Sequence, residues 1–144
     1  MKRYTSLVVL LITVLLLSAC DHKRIESSPS VEFVERVFVV NIAEGEKTLQ
    51  EYLHYHEQVW PEVEGGFKKA GYKKIVLYRF DHLLIMTIEV PKNADLGAMG
   101  KLAESYSPRC AEWNKLMDGY QRGVQGTAPG TKWVEANPFY RFSN

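Results

Sequence analysis

Lys74-Ile75-Val76-Leu77-Tyr78-Arg79-Phe80-Asp81-His82-Leu83-Leu84-Ile85-Met86-Thr87-Ile88-Glu89-Val90 holds two short apolar runs around a polar break. Residues 74–80 and 84–90 are rich in β-branched and aromatic side chains, and Asp81, His82 and Leu83 are turn material. The stretch predicts two strands closed into a hairpin. In the second strand Leu84, Met86, Ile88 and Val90 point one way and Ile85, Thr87 and Glu89 the other. Both sets contain apolar residues, so both faces of the sheet need cover. Pro91 stops the strand because it has no amide hydrogen to donate.

Helical patterns flank the hairpin on both sides. Upstream, Leu49, Tyr52, Leu53, His56, Val59, Trp60, Val63 and Phe67 recur at three- and four-residue spacing and share one face. A helix from about Lys47 must kink or restart at Pro61, where Glu62 and Glu64 suit the positive end of a new helix dipole. Gly65 and Gly66 weaken the second segment, and Gly71 is placed to cap it. Downstream, residues 94–120 predict a second helical stretch interrupted at Pro108. There Cys110, Trp113, Leu116 and Met117 face inward, and Ala111, Lys115 and Asp118 face water.

Further out, residues 33–42 are rich in Val and Phe and predict a first strand. Residues 119–130 hold four glycines and Pro129 and predict a loop. Residues 132–142 predict a last strand, broken or at an edge near Pro138. Strand, helix, strand, strand, helix, strand is the ferredoxin-like order, an α+β fold with a four-stranded antiparallel sheet and helices on one face. The simplest cover for the other face is a second copy of the same sheet, which predicts a homodimer.

The first 20 of the 144 residues read differently. Lys2 and Arg3 precede an apolar run over residues 7–17, and Ser18 and Ala19 stand before Cys20. A positive start, a short apolar core and small residues at a cut predict a secretory signal peptide over 1–20. With a cysteine at the cut it resembles a bacterial lipoprotein signal, which implies lipidation of Cys20 and a membrane-anchored domain outside the cytoplasm, periplasmic or at the cell surface. Residues 21–32 are charged and Ser-rich and predict a tether, leaving 33–144 as one domain. Without the leader, 16 Lys and Arg face 17 Asp and Glu. That near-neutral balance gives no electrostatic reason to bind nucleic acid. With Cys20 lipidated, Cys110 has no partner and reads as a small core residue. His54 and His56 point to different sides of a helix, His22 lies in the tether and His82 in a turn, so no metal site is expected.

His56 is the residue that suggests chemistry. It stands on the apolar helical face with Tyr52 one turn before it and Trp60 one turn after. An imidazole titrates near neutrality, and two aromatics with polar tips beside it suit a small polar ring. The bland reading is a hydrogen-bonded core histidine.

Tyr52-x-x-x-His56-x-x-x-Trp60-Pro61-Glu62, followed by Lys68, Gly71, Tyr78, Trp113-x-Lys115-x-Met117 and Phe139-Tyr140, resembles the L-rhamnose mutarotase family. The resemblance implies a ferredoxin-like dimeric α/β barrel that interconverts the anomers of L-rhamnose with neither metal nor organic cofactor. It carries the catalytic histidine onto His56 and a substrate tyrosine onto Tyr52. Trp60, Tyr78 and Trp113 are then expected as walls for the apolar face of a deoxy sugar. Ile75 stands where the family has a second substrate tyrosine, Asn114 where a second tryptophan is common, and the loop over residues 126–130 departs from the family's sugar-contacting segment. Two other readings compete. One is a non-catalytic sugar-binding lipoprotein of the same fold. The other is a cofactor-free monooxygenase or haem-handling barrel, which lacks a second histidine on the same face.

Overall fold

A computed structural model describes residues 30–144. The expected signal peptide, the lipidated Cys20, His22 and all but the last three residues of the expected tether lie outside the described residues. Those last three have no regular structure, and the first strand begins at Phe33.

The central hairpin is present. β1 (Phe33–Ile42), β2 (Lys74–Phe80) and β3 (Leu83–Pro91) form an antiparallel ladder with β3 in the middle. β2 pairs with β3 from Lys74 opposite Glu89 to Phe80 opposite Leu83. Leu83 therefore belongs to the strand, and the turn is Asp81 and His82 alone. Asp81 has φ 52°. Aspartate tolerates that left-handed conformation because its short side chain finds local partners, here His82 Nδ1 at 3.1 Å.

Both expected helical stretches are each two helices. α1 (Glu46–Glu57) is followed by α2 (Pro61–Ala70), and α3 (Leu96–Glu104) by α4 (Pro108–Tyr120). Each proline takes the first turn of its helix, where a missing N–H costs no hydrogen bond. The residues before them, Trp60 and Ser107, are extended, as a following proline demands. Gly71, at φ 89°, ends α2. Its N–H bonds to Lys68 O at 3.2 Å, that of Tyr72 bonds to Phe67 O at 3.1 Å, and the Phe67 and Tyr72 rings meet at 5.7 Å. These are the paired bonds and apolar contact of a Schellman cap.

Gly66 serves packing rather than flexibility. A Cβ there would lie 2.5 Å from the Ala103 carbonyl oxygen. Its absence lets the backbone of α2 approach that of α3.

The last strand departs from expectation. The fourth position of the sheet is filled by two short pieces, both on the free side of β1: β4 (Gln121–Arg122) opposite Ile42 and Asn41, and β5 (Val134–Glu135) opposite Val39 and Phe38. The order β2-β3-β1-β4 is that of the ferredoxin-like fold. The expected strand over 132–142 is thus two residues long, and the expected loop over 119–130 contains β4. Pro138 lacks a ladder donor and keeps Asn137 restricted. Beyond it Phe139, Tyr140 and Phe142 are 102%, 74% and 76% exposed, so the tail has no burial to hold it extended.

The core lies between the helices and one sheet face. Val40, Ile42 and Leu84 pack against Leu49, Tyr52, Val63, Trp113 and Met117. On the opposite face Val37, Val39, Val76, Ile85 and Thr87 are only half-buried, and Tyr78 and Phe80 are exposed.

Candidate active site

Tyr52 and His56 stand one turn apart on α1, so their side chains meet on one face. Tyr52 is 2% exposed, and its ring lies 4.4 Å from the His56 imidazole, tilted by 31°. His56 Nδ1 is 3.0 Å from the Tyr52 carbonyl oxygen. A carbonyl only accepts, so Nδ1 carries the hydrogen and the neutral ring keeps its lone pair on Nε2. Burial lowers the His56 pKa below the ordinary 6.5, and the bond to the Tyr52 carbonyl offsets only part of that. His56 is accordingly a neutral base at pH 7.

Trp113 on α4 meets the imidazole edge to face at 5.4 Å. It is held from behind by Trp60 at 5.2 Å, which in turn carries the Arg109 guanidinium 3.5 Å above its ring. Tyr55 closes on Trp113 at 6.4 Å.

Tyr52, His56 and Trp113 border a cavity of about 670 Å³ between helices and sheet, within the range of small-molecule sites. Tyr52, His56 and Trp113 form the helical wall, and Ile75, Leu77 and Met86 the sheet floor. Glu64, Asn114, Asp118 and Gln121 supply polar groups around it. The arrangement suits a small ring with one apolar side and several hydroxyls. A groove of about 840 Å³ lies elsewhere, lined by Ala43, Glu44, Thr48, Glu112, Lys115 and neighbours. It is larger, but no histidine or cysteine borders it, whereas His56 borders the smaller cavity.

Tyr52, His56 and Trp113 are brought together as the sequence predicts. Trp60 and Tyr78 are not walls of the cavity. Trp60 lies behind Trp113. Tyr78 pairs with Ile85, whereas the floor residues Ile75 and Leu77 pair with Ile88 and Met86. Side chains alternate along a strand, so Tyr78 projects from the opposite face, where it is 53% exposed. The position of Ile75 does border the cavity.

Gln121 and Trp133 escaped sequence reading because they lie in and beyond a glycine-rich segment without periodicity. Gln121 is the one buried polar side chain among the described residues, at 9% exposure. Its Oε1 accepts from Trp133 Nε1 at 3.0 Å. Burial pushes the Tyr52 hydroxyl above the ordinary tyrosine range, and a hydrogen bond from the Gln121 side chain draws it part of the way back. Cys110 is buried at 4% exposure, with its thiol donating to Glu62 O at 3.3 Å.

A family model described as L-rhamnose mutarotase matches residues 36–142. An L-fucose mutarotase from Xanthomonas campestris pv. campestris is 29% identical over 108 residues, which span 74% of this chain and 86% of that protein. Among solved structures, an L-rhamnose mutarotase from Formosa agariphila is similar with a TM-score of 0.52 and 17% identity, covering 76% of this chain and 99% of that one. At that identity the likeness is one of fold.

Proposed function

The chain belongs to the L-rhamnose mutarotase family, and from that premise we propose that it interconverts the α and β anomers of L-rhamnose or a related sugar, with His56 as its acid–base group. The observation that carries the reading is the imidazole fixed through Nδ1 on the Tyr52 carbonyl, which leaves Nε2 free beside a sugar-sized cavity. Mutarotation opens a hemiacetal and recloses it on the other face of the aldehyde. Nε2 takes the proton of the anomeric hydroxyl as the bond from C1 to the ring oxygen breaks, and the ring oxygen takes a proton from a solvent water. On reclosure the ring hydroxyl attacks C1 and returns its proton to solvent, while the imidazolium returns its proton to the oxygen on C1. Trp113, Ile75, Leu77 and Met86 offer apolar surface to the methyl group of a deoxy sugar.

The test is NMR magnetisation transfer between α and β anomers of L-rhamnose, L-fucose, L-lyxose and D-mannose, with residues 21–144 added. Faster exchange with one sugar names the substrate. Sugar binding with no exchange above the buffer rate would leave a non-catalytic sugar-binding protein instead.

The half-buried apolar sheet face supports a homodimer closed sheet to sheet into a dimeric α/β barrel. Ile85→Lys, at the centre of that face opposite Tyr78 and Val39, is expected to halve the mass measured by light scattering. An unchanged mass would place the interface elsewhere. The leader sequence supports anchorage through Cys20. Cys20→Ser is expected to move the full chain, expressed in a bacterium, from the detergent phase to the aqueous phase in Triton X-114 partition, and retention with detergent would exclude a lipidated Cys20.

A further inference from the structure

Lys132 and Trp133 follow one another in the chain, and each holds a residue of the cavity wall. Lys132 Nζ pairs with the Asp118 carboxylate at 2.6 Å and also donates to the Asp118 carbonyl oxygen. Trp133 Nε1 donates to Gln121 Oε1 at 3.0 Å. Asp118, Gln121 and Trp133 all border the cavity. The chain between them closes on itself at Gly123, where a Cβ would lie 2.9 Å from the Thr131 carbonyl oxygen. The register of β4 adds a further restraint. Gln121 pairs with Ile42, a core residue, which turns its side chain toward the helices.

The Trp133 bond decides which end of the Gln121 amide is free. Indole can only donate, so the amide gives its oxygen to Trp133 and keeps its nitrogen, with two hydrogens, for other partners. One neighbouring oxygen takes only one of them, because the two N–H bonds diverge. Gln121 is 9% exposed, and a buried N–H is costly to leave without an acceptor. A sugar hydroxyl supplies one. Resting on the mutarotase reading of this cavity, we infer that Gln121, oriented by Trp133, sets sugar specificity by donating to a ring hydroxyl of the bound sugar. The anomeric hydroxyl belongs to His56, so the hydroxyl in question is on C2, C3 or C4. Ile75, Leu77 and Met86 accept any apolar surface and cannot tell epimers apart. A fixed donor can, because only one of two epimers turns its hydroxyl oxygen toward it.

Gln121→Met fills the same space without an N–H. The probes are L-rhamnose and L-fucose, with the 2-, 3- and 4-deoxy forms of whichever exchanges faster. With that parent sugar Gln121→Met is expected to lower kcat/KM about ten- to hundredfold, mostly through KM. With one of the three deoxy forms the substitution is expected to change almost nothing, the non-additivity that marks a residue and a hydroxyl acting through one contact. A merely structural role would cost the same factor with the parent and all three deoxy forms. That result would overturn the inference, as would no cost with the parent. Trp133→Phe keeps a ring but frees the amide to turn, and is expected to raise KM for the parent sugar by a smaller factor. An unchanged KM would remove Trp133 from the orienting role. The side-chain amide signals of Gln121 in ¹H–¹⁵N NMR, identified by their loss in Gln121→Met, read the contact apart from turnover. They are expected to shift as L-rhamnose or L-fucose saturates the site. Signals that stay still with both would overturn the inference, and with exchange accelerated they would leave the mutarotase reading standing. Signals that shift in a protein that accelerates no exchange would sink the mutarotase reading and leave the sugar contact in place.

Discussion

His56→Ala is expected to reduce catalysed anomer exchange by about a hundred- to ten-thousand-fold, the usual worth of one positioned acid–base group. The loss falls on turnover, because the aromatic wall and apolar floor of the cavity remain. The domain stays folded, since His56 is only half-buried and the core passes through Tyr52, Val63 and Trp113 instead. Exchange is measured by NMR at saturating sugar and folding by near-ultraviolet circular dichroism, and full activity in a folded variant would remove His56 from the mechanism. The pH profile of the native protein provides a second check. The base must be neutral, and burial places its pKa below 6.5. The rate should hold steady from neutral pH down past 6.5 and fall only below it, whereas a base with an ordinary imidazole pKa would lose half its rate at 6.5. Stability follows the same sign. Between 6.5 and the lower folded value the unfolded chain binds the proton first, so His56 withdraws stability as pH falls through that window and has no such effect above it.

Gly66→Ala is expected to destabilise the domain by about 1–3 kcal/mol, against a total of roughly 5–15 kcal/mol for a domain of this kind. In an isolated helix the same change would help by up to about 1 kcal/mol, because glycine is a poor helix former. Here the new methyl meets the backbone oxygen of Ala103 at 2.5 Å, with Cys110 Sγ at 3.4 Å behind it. A backbone oxygen cannot swing aside, so α2 and α3 must separate. Gly65→Ala is the control. Its methyl would meet the Tyr106 ring at 2.7 Å, but Tyr106 is 51% exposed and free to rotate away. Gly65→Ala should leave stability level or slightly improved. Urea denaturation of both variants reads the difference, and equal midpoints would show that the contact between the two helices is not tight.

The contrast between these glycines shows what the sequence could and could not disclose. Apolar periodicity located the hairpin, both helical stretches and the inward faces of α1 and α4, because burial is periodic in regular structure. Pro61, Pro108 and Gly71 marked helix starts and an end because their backbones permit little else. Gly66 was illegible, since its neighbour lies 37 residues away on another helix. In the site, Tyr52 and His56 were readable from helical spacing, and Trp113 from the family motif. Tyr78 and Trp60 misled because an aromatic in a motif does not announce which side of a strand, or of another ring, it occupies. Gln121 and Trp133 had no local signal, for their meaning lies in a contact made across an irregular segment.

The split fourth strand has a consequence for how this enzyme could change over evolutionary time. The long β1–β3–β2 ladder carries the fold, while the chain from Gly123 to Lys132 is attached to the sheet through two residues at each end. Insertions and deletions there would move the flanking Gln121 and Trp133, which border the cavity, without shifting a register in the main ladder. The shape of the cavity can therefore drift through that segment while His56 and its helix stay as they are. A lineage could acquire a new substrate through mutations that leave thermal stability nearly unaltered.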